Sequence, residues 1–234
     1  MNQAELLQAI ADRHAVRRYL DRPISAAVRT ELDQEIQRCN QESGLAITIA
    51  YDEPEGFSGR MAHYGSFRGV HNYVALAGNL GSGLDTACGY WGERIVLLAQ
   101  HLGLNSCWVG LTYNKSRVKA QLAADEKLAL VVALGYGETP GKPHRSKPLD
   151  KLGSVKDGGP LPDWFRCGVE AAALAPTAVN QQKFHFTLDG ATVHATTGIG
   201  SYAAVDLGIA KYHFEVGAGA GDWRWGRETG IVRP

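Results

Sequence analysis

The chain lacks an excess of charge of either sign: its 24 Lys and Arg residues balance its 24 Asp and Glu residues, and its isoelectric point is about 7.1. Nucleic acids and anionic membrane surfaces attract proteins with a broad positive field, so we expect neither as a partner. The sequence also lacks an apolar run of about eighteen residues, and its N-terminus lacks the apolar centre of a signal peptide. These absences predict a cytoplasmic protein that does not span a membrane.

Cysteine is scarce as well. The four residues are Cys39, Cys88, Cys107 and Cys167, and no two of them form a Cys-x-x-Cys pair. This wide spacing argues against a zinc or iron–sulfur motif and against a disulfide framework. We therefore expect reduced thiols in the core and no metal site.

Apolar residues are present in ordinary amounts. Of the 234 residues, 44% are hydrophobic, which suffices for one large globular domain or two small ones. Ser25 and Gly44 are the expected caps of a long helix. Periodicity predicts helices at 3–12, 23–44, 89–103, 162–176 and 206–219, and strands at 45–54, 72–78, 127–137 and in a hairpin at 183–198.

The glycine- and proline-rich segment 151–159 is the best candidate for a linker. It would separate an N-terminal half, residues 1–150, from a C-terminal half, residues 160–234. We interpret the two halves as a diverged internal duplication, because a shift of 116 residues aligns several of their glycines. The aligned pairs are Gly92 with Gly208, Gly103 with Gly219, and Gly110 with Gly226.

Two clusters of basic residues are candidates for an anion site. Arg13 and Arg17 stand four residues apart and would share one face of a helix or of a helix-ending turn. A second cluster follows an apolar strand and comprises Lys142, His144, Arg145 and Lys147. The two clusters could clamp one phosphate, and a solvated basic surface is the alternative.

Two further segments could contact a flat ligand. Residues 103–111 carry small or apolar side chains between glycines, so their backbone N–H groups could approach a ligand closely. An interior strand is the alternative. In AAALAPTAVNQQKF, residues 171–184, an apolar helix runs into a group of hydrogen-bonding side chains. Because Pro176 disfavours helix in the residue before it, a plain helix end and turn is the alternative there.

Four segments together resemble the FMN-dependent nitroreductase family: RHAVRRY, LLAQHLGLNSCWVG, LGYG with HRSKPLDK, and APTAVNQQ. They are similar to the family's Arg-x-Ser-x-Arg start, Leu-Ala-x-x-x-Gly-Leu helix end, basic closing loop and Ala-Pro-Ser-Ala-x-Asn-x-Gln segment. The resemblance spans most of the chain and implies an α+β, nitroreductase-like fold. It also implies bound FMN, NAD(P)H as reductant, and ping-pong hydride transfer to small, flat, electron-poor acceptors such as nitroaromatics or quinones.

The order of the segments departs from the family pattern, in which the Ala-Pro-Ser segment soon follows the Arg motif. Family members are homodimers that bind the flavin at the subunit interface, with these two segments contributed by different chains. The position of APTAVNQQ at residues 175–182 therefore implies an internally duplicated pseudo-dimer. Such a chain would be a monomer whose second half replaces the partner, and it would bind one flavin.

The resemblance assigns roles to individual positions. Arg13 matches an Arg on the phosphate, and Arg17 matches a cation beside flavin N1 and the C2 carbonyl. Ala15 stands where the family usually has Ser, which removes a hydroxyl donor. Tyr64 and Phe67, from an aromatic-rich loop, are expected at the substrate pocket, with a loop pinned by aromatic packing as the alternative. The other implied cofactor contacts are His14, Trp108, Val109, Gly110, Leu111, Arg145, Lys147, Pro176, Thr177, Ala178 and Asn180.

Because the implied chemistry belongs to the flavin, no catalytic acid or base is expected. Two other functions remain open. A dinucleotide-binding dehydrogenase would depend on the strand and Gly-x-Gly turn in YVALAGNLGSGLDT, which lacks the third glycine at the required spacing. A flavin carrier or sensor without turnover would account for the altered Ala15.

Overall fold

A computed structural model describes residues 1–219, 221, 223, 225 and 230–232 of the chain. The helices in these residues are α1 (Gln3–Asp12), α2 (Ala26–Ser43), α3 (Arg60–Tyr64), α4 (Leu84–His101), α5 (Asp163–Ala172) and α6 (Ala203–Ala218). The strands are β1 (Thr48–Ala50), β2 (Asn72–Asn79), β3 (Asn105–Val109), β4 (Glu126–Gly135), β5 (Gly153–Val155), β6 (Phe184–Asp189), β7 (Thr192–Thr197) and β8 (Gly230–Val232). The fold is α+β, as the sequence predicts.

Both ends of α2 and the C-terminal end of α4 are close to their predicted residues, whereas α4 begins at Leu84, five residues before the predicted start. Ser25 precedes α2 and accepts a hydrogen bond from the Val28 N–H, while Gly44 ends the helix with a φ of 72°. Gly103 has a φ of 81° just beyond α4. Because a positive φ strains any residue with a Cβ, these two glycines stop their helices as expected.

The first sheet has the strand order β1-β2-β4-β3, and every neighbouring pair is antiparallel. Strand β4 lies inside this sheet and is apolar on both faces. Leu130, Val132 and Leu134 belong to the main core, which also contains much of α4. Val131 and Ala133 face a second cluster. Burial on both faces explains the nearly continuous apolar run in the sequence.

The second sheet has the order β5-β6-β7-β8, with β5 parallel to β6 and the other pairs antiparallel. Strand β5 lies within residues 151–159, so the structure differs there from the predicted linker. A Cβ on Gly153 would stand 2.6 Å from Val169 Cγ2 of α5. This glycine therefore permits close packing, a role that composition alone does not distinguish from flexibility.

The two halves meet where α4 crosses α6. A Cβ on Gly89 would overlap the carbonyl of Val205, and a Cβ on Gly208 would overlap the carbonyl of Thr86. Gly89 and Val205 are separated by the same 116 residues that align the glycines of the two halves. Contact between corresponding positions supports the predicted duplication, which stays a prediction. Of the aligned glycines, Gly226 lies outside the described residues.

Among the described helices, none is long and apolar enough to cross a bilayer. The four cysteines are all free thiols. Three of them, Cys39, Cys88 and Cys107, are buried, and Cys167 is partly exposed.

We predict that Gly208→Ala lowers the free energy of unfolding by about 1–3 kcal/mol, because the new methyl group collides with backbone atoms that cannot rotate away. Chemical denaturation monitored by circular dichroism measures the change. Gly81→Ala is the control, since a Cβ at residue 81 meets no atom within 4 Å. Equal stability of Gly208→Ala and the parent protein would contradict the close crossing.

Candidate functional site

A cleft of about 520 Å³ lies between the two halves. This volume is within the range of about 300–1,000 Å³ that is typical of small-molecule sites. The cleft brings together most of the positions singled out in the sequence. From the N-terminal half these are Arg13, Ala15, Arg17, Phe67, Trp108, Val109, Gly110 and Leu111, and from the C-terminal half Pro176, Thr177 and Ala178.

Five of the predicted site residues do not line the cleft: His14, Tyr64, Arg145, Lys147 and Asn180. Tyr64 is 84% exposed at the end of α3. Its neighbour Phe67 packs edge-on against Phe57, with 5.1 Å between the ring centroids. Aromatic packing therefore pins this loop, and Phe67 alone of the two predicted pocket residues reaches the cleft.

The N-terminal arm, residues 13–19, is extended rather than helical. Helix α1 ends at Asp12, and Arg13 already has extended backbone angles. Ala15 forms a parallel bridge with Ser106 of β3, and the Val16 N–H donates to the Ser106 carbonyl at 2.9 Å. Arg13 and Arg17 thus share a face by the alternation of extended backbone, and not by the helical spacing of four that the sequence suggested.

A buried carboxylate, Glu93 of α4, fixes the deep end of this arm. Its Oε2 accepts a hydrogen bond from Trp108 Nε1 at 2.9 Å. Its Oε1 lies 2.8 Å from His213 Nε2 of α6 and 3.7 Å from Arg13 Nε. Because an unpaired charge is very unfavourable inside a protein, these three partners hold their positions around Glu93.

Arg13 is a deeply buried cation. It is only 4% exposed, and its Nε has no hydrogen-bond partner within the described residues. Burial lowers the pKa of Arg13, and the Glu93 carboxylate opposes that change. Arg13 also lines the cleft, where its positive charge suits an anionic ligand.

The basic loop, residues 142–147, packs against residues 173–182, which we call the clamp segment. The Ser146 hydroxyl donates to the Ala173 carbonyl at 2.8 Å. Lys147 Nζ donates to the carbonyls of Gln181 and Gln182 at 2.8 and 2.9 Å. The Lys147 ammonium is therefore engaged by the clamp segment and does not point into the cleft.

Gln182 is the centre of this contact. It is 2% exposed, and its Oε1 accepts from the Lys147 N–H at 2.8 Å. Its Nε2 donates to the Arg145 carbonyl at 2.9 Å and to Asn180 Oδ1 at 2.7 Å. Asn180 Nδ2 donates to the same Arg145 carbonyl at 3.0 Å. Asn180 therefore shapes the site indirectly, by holding the basic loop.

Backbone strain accompanies these bonds. Val179, Asn180 and Gln182 have φ values of 46°, 55° and 42°, in the left-handed region that disfavours residues with a Cβ. Asp206, in the first turn of α6, accepts the Ala178 N–H at 3.0 Å and Gln181 Nε2 at 2.6 Å. Strained backbone of this kind persists where its surroundings over-determine it, as they commonly do at functional sites.

Positive charge concentrates at one end of the cleft. Burial lowers the pKa of His144, and the nearby charges of Arg13 and His14 lower it further. Burial likewise raises the pKa of Cys107, while Arg17 and Arg13 oppose that rise. Arg13 of the first basic cluster thus lies close enough to act on His144 of the second.

Tyr202 closes the cleft beside β3. A Cβ on Gly110 would overlap its ring, so only glycine at residue 110 permits this approach. Tyr202 itself adopts a φ of 60° directly before α6. Burial raises the pKa of its phenol, which keeps the ring neutral.

Sequence reasoning missed Glu93, His213, Asp206 and Tyr202. For Glu93 the sequence offered one indication, because it is an acidic residue within the apolar pattern of the helix predicted at 89–103. The other three depend on contacts across more than twenty residues of sequence and carry no local pattern.

The family model described as "Putative TM nitroreductase" matches residues 5–218. The chain belongs to this nitroreductase family. The match includes the N-terminal arm, β3, the basic loop and the clamp segment, so every wall of the cleft falls within it. No curated protein matches the chain.

Two solved structures described as putative nitroreductases are similar to the chain. A Thermotoga maritima structure described as a putative nitroreductase is 20% identical with a TM-score of 0.65, over 92% of this chain and 84% of that one. A putative nitroreductase from Desulfovibrio desulfuricans, in complex with FMN, is also 20% identical, with a TM-score of 0.48 over 62% of this chain and 92% of that one. At such identity the Thermotoga structure shows a shared nitroreductase-like fold alone.

We predict that Gln182→Leu lowers the free energy of unfolding by about 1–2 kcal/mol, because the Lys147 N–H loses its acceptor and the Arg145 carbonyl and Asn180 Oδ1 each lose a donor. Amide exchange should also accelerate at Lys147, whose N–H loses its acceptor. Gln37→Leu, on the exposed face of α2, is the matched control. Unchanged exchange at residue 147 would contradict the contact.

Proposed function

We propose that this nitroreductase-family protein is an FMN-dependent NAD(P)H oxidoreductase that reduces small, flat, electron-poor molecules such as nitroaromatics or quinones in a ping-pong cycle. One observation carries the proposal: the N-terminal arm, the end of β3 and the clamp segment, which are far apart in sequence, line a single cleft. These are the segments whose resemblance to the family implies flavin contact.

The residues present fit FMN. The cleft has the volume of a small-molecule site, and its walls combine apolar groups with the three cations Arg13, Arg17 and Lys183. The positive charge of Arg13 at the cleft and the nearby basic loop suit a phosphate. Arg145 is exposed on that loop and belongs to the same end, whereas Lys147 contributes by fixing the loop.

When bound, FMN would supply hydride acceptance from NAD(P)H and hydride donation to an acceptor. The protein would bind FMN and orient its ring. Arg17 lines the cleft and is exposed, so its positive charge can stabilise negative charge that develops on a bound ring. The backbone of Val109 and Gly110 and the segment Pro176–Ala178 would position the ring from two sides.

The walls also restrict the acceptor. Phe67 and Tyr202 place two aromatic rings at the cleft, which favours flat partners over bulky ones. Asp206 also lines the cleft, but its carboxylate is occupied by the Ala178 N–H and the Gln181 amide. These features support flavin-centred chemistry without a catalytic acid or base from the protein.

We further propose that residues 1–150 and 160–234 act as the two unequal halves of a pseudo-dimer in a monomeric chain. The crossing of α4 and α6 at positions 116 residues apart supports this division. A flavin carrier or sensor without turnover is the second candidate, because Ala15 lines the cleft where the family usually supplies a hydroxyl. Such a loss weakens binding by only about 1 kcal/mol, which favours the enzyme.

We predict that the purified protein, reconstituted with FMN, shows bound-flavin absorbance that bleaches anaerobically with NADH or NADPH. Menadione or nitrofurazone should restore the absorbance and support steady-state turnover well above that of free FMN. Stopped-flow spectroscopy and NAD(P)H consumption measure both steps. Tight flavin binding with turnover no faster than free FMN would favour the carrier, and failure to bind FMN would refute the proposal.

A pair of variants connects this result to the cleft. Arg17→Met removes one of the cations that line the cleft. It should slow flavin reduction by about tenfold or more while the chain stays folded. Arg18→Met is the matched control, because Arg18 is adjacent in sequence and does not line the cleft. Equal rates of flavin reduction in the two variants would contradict the proposal that Arg17 stabilises negative charge on the bound ring.

A further inference from the structure

A second cavity of about 610 Å³ lies against the pair α4 and α6. Helix α4 contributes Tyr90 and Trp91, and α6 contributes Lys211. Trp223 and Trp225, beyond α6, provide two further indole rings. None of these five residues lines the first cleft, so the second cavity is a separate space.

The two cavities correspond under the shift of 116 residues. Thr86 in the second cavity corresponds to Tyr202 in the first, and Tyr90 corresponds to Asp206. Trp223 and Trp225 likewise correspond to Cys107 and Val109 of β3. The second cavity therefore occupies the related position in the other half. Aromatic rings replace Asp206, Cys107 and Val109 of the first cleft, while Thr86 replaces the Tyr202 ring.

Lys211 is the cation that lines this cavity, and among the described residues Glu215 is the negative charge that acts on it. Lys211 is 4% exposed, and within the described residues it makes neither a hydrogen bond nor an ion pair. Its Nζ lies 4.7 Å from the centroid of the Trp225 ring. Burial lowers the pKa of Lys211 to about 8, which still leaves most of the side chain charged at neutral pH. A buried ammonium that lines a cavity calls for an anionic partner.

Glu215, one turn further along α6, does not fill that role. Its carboxylate accepts hydrogen bonds from the Tyr90 hydroxyl at 2.7 Å and from Trp225 Nε1. Burial raises the pKa of Glu215 to about 7, while these two hydrogen bonds and the charge of Lys211 oppose that rise. Lys211 is thus left as the group that selects the charge of a ligand.

We propose that the second cavity binds a small planar aromatic carboxylate, with its carboxylate on Lys211 and its ring among Trp91, Trp223 and Trp225. The aromatic walls supply stacking surface for a flat ring. The ammonium supplies a charge-assisted hydrogen bond in a partly dry site. This inference does not depend on whether the first cleft binds FMN.

The test uses 2-naphthoate as probe and 2-naphthamide as its uncharged analogue. We expect calorimetry on the full chain, with and without saturating FMN, to show binding of the naphthoate at least about tenfold tighter than the amide. FMN should not displace it. Absence of naphthoate binding, equal binding of the two probes or competition with FMN would overturn the proposal.

Two variants locate the probe. Lys211→Met should weaken naphthoate binding by about tenfold or more and leave amide binding unchanged, whereas Lys211→Arg should retain the affinity. Lys183→Met is the matched control, because Lys183 lines the first cleft. Weaker binding in Lys183→Met but not in Lys211→Met would place the ligand in the first cleft and refute the inference. Should Lys211→Met not fold, Trp91→Leu, at a partly exposed ring, should weaken the binding of both probes, and unchanged binding of both would refute the inference.

Discussion

The buried carboxylate of Glu93 is the interaction on which the site depends. Its hydrogen bond from Trp108, its contact with His213 and its ion pair with Arg13 join β3, α6 and the N-terminal arm at one point. Removing any one partner would leave buried charged or polar groups unpaired, which would lower the free energy of unfolding by several kcal/mol. Elements from both halves of the chain are therefore held in a single arrangement, and the cleft exists because they are.

A second buried carboxylate organises the opposite wall. Asp206 holds the backbone of Ala178 and the side chain of Gln181, and Gln182 in turn holds the basic loop. Burial raises the pKa of Asp206, while the bonds it accepts act against that rise. The strained backbone at residues 179–182 follows from these fixed contacts. Rigid walls of this type position a bound ring without any movement of the main chain.

Local signals in the sequence predict much of the fold. Ser25 and Gly44 cap α2, and the turn at Gly190 joins β6 to β7, because caps and turns depend on neighbouring residues. Eleven of the predicted site residues also line the cleft, because they belong to motifs whose spacing is local. The extended arm, strand β5 and the partners of Glu93 were not predicted. Each of these depends on a contact with a segment that is distant in the sequence, and such contacts produce no periodic pattern of residues.

We propose that one chain builds one flavin site from its two unequal halves. Native mass spectrometry of the FMN-saturated protein tests this directly, since it reports subunit number and flavin number together. We predict a single 25.2 kDa chain that carries one FMN and does not form oligomers when FMN is added. A flavin found only on dimers, or two flavins on one chain, would contradict it.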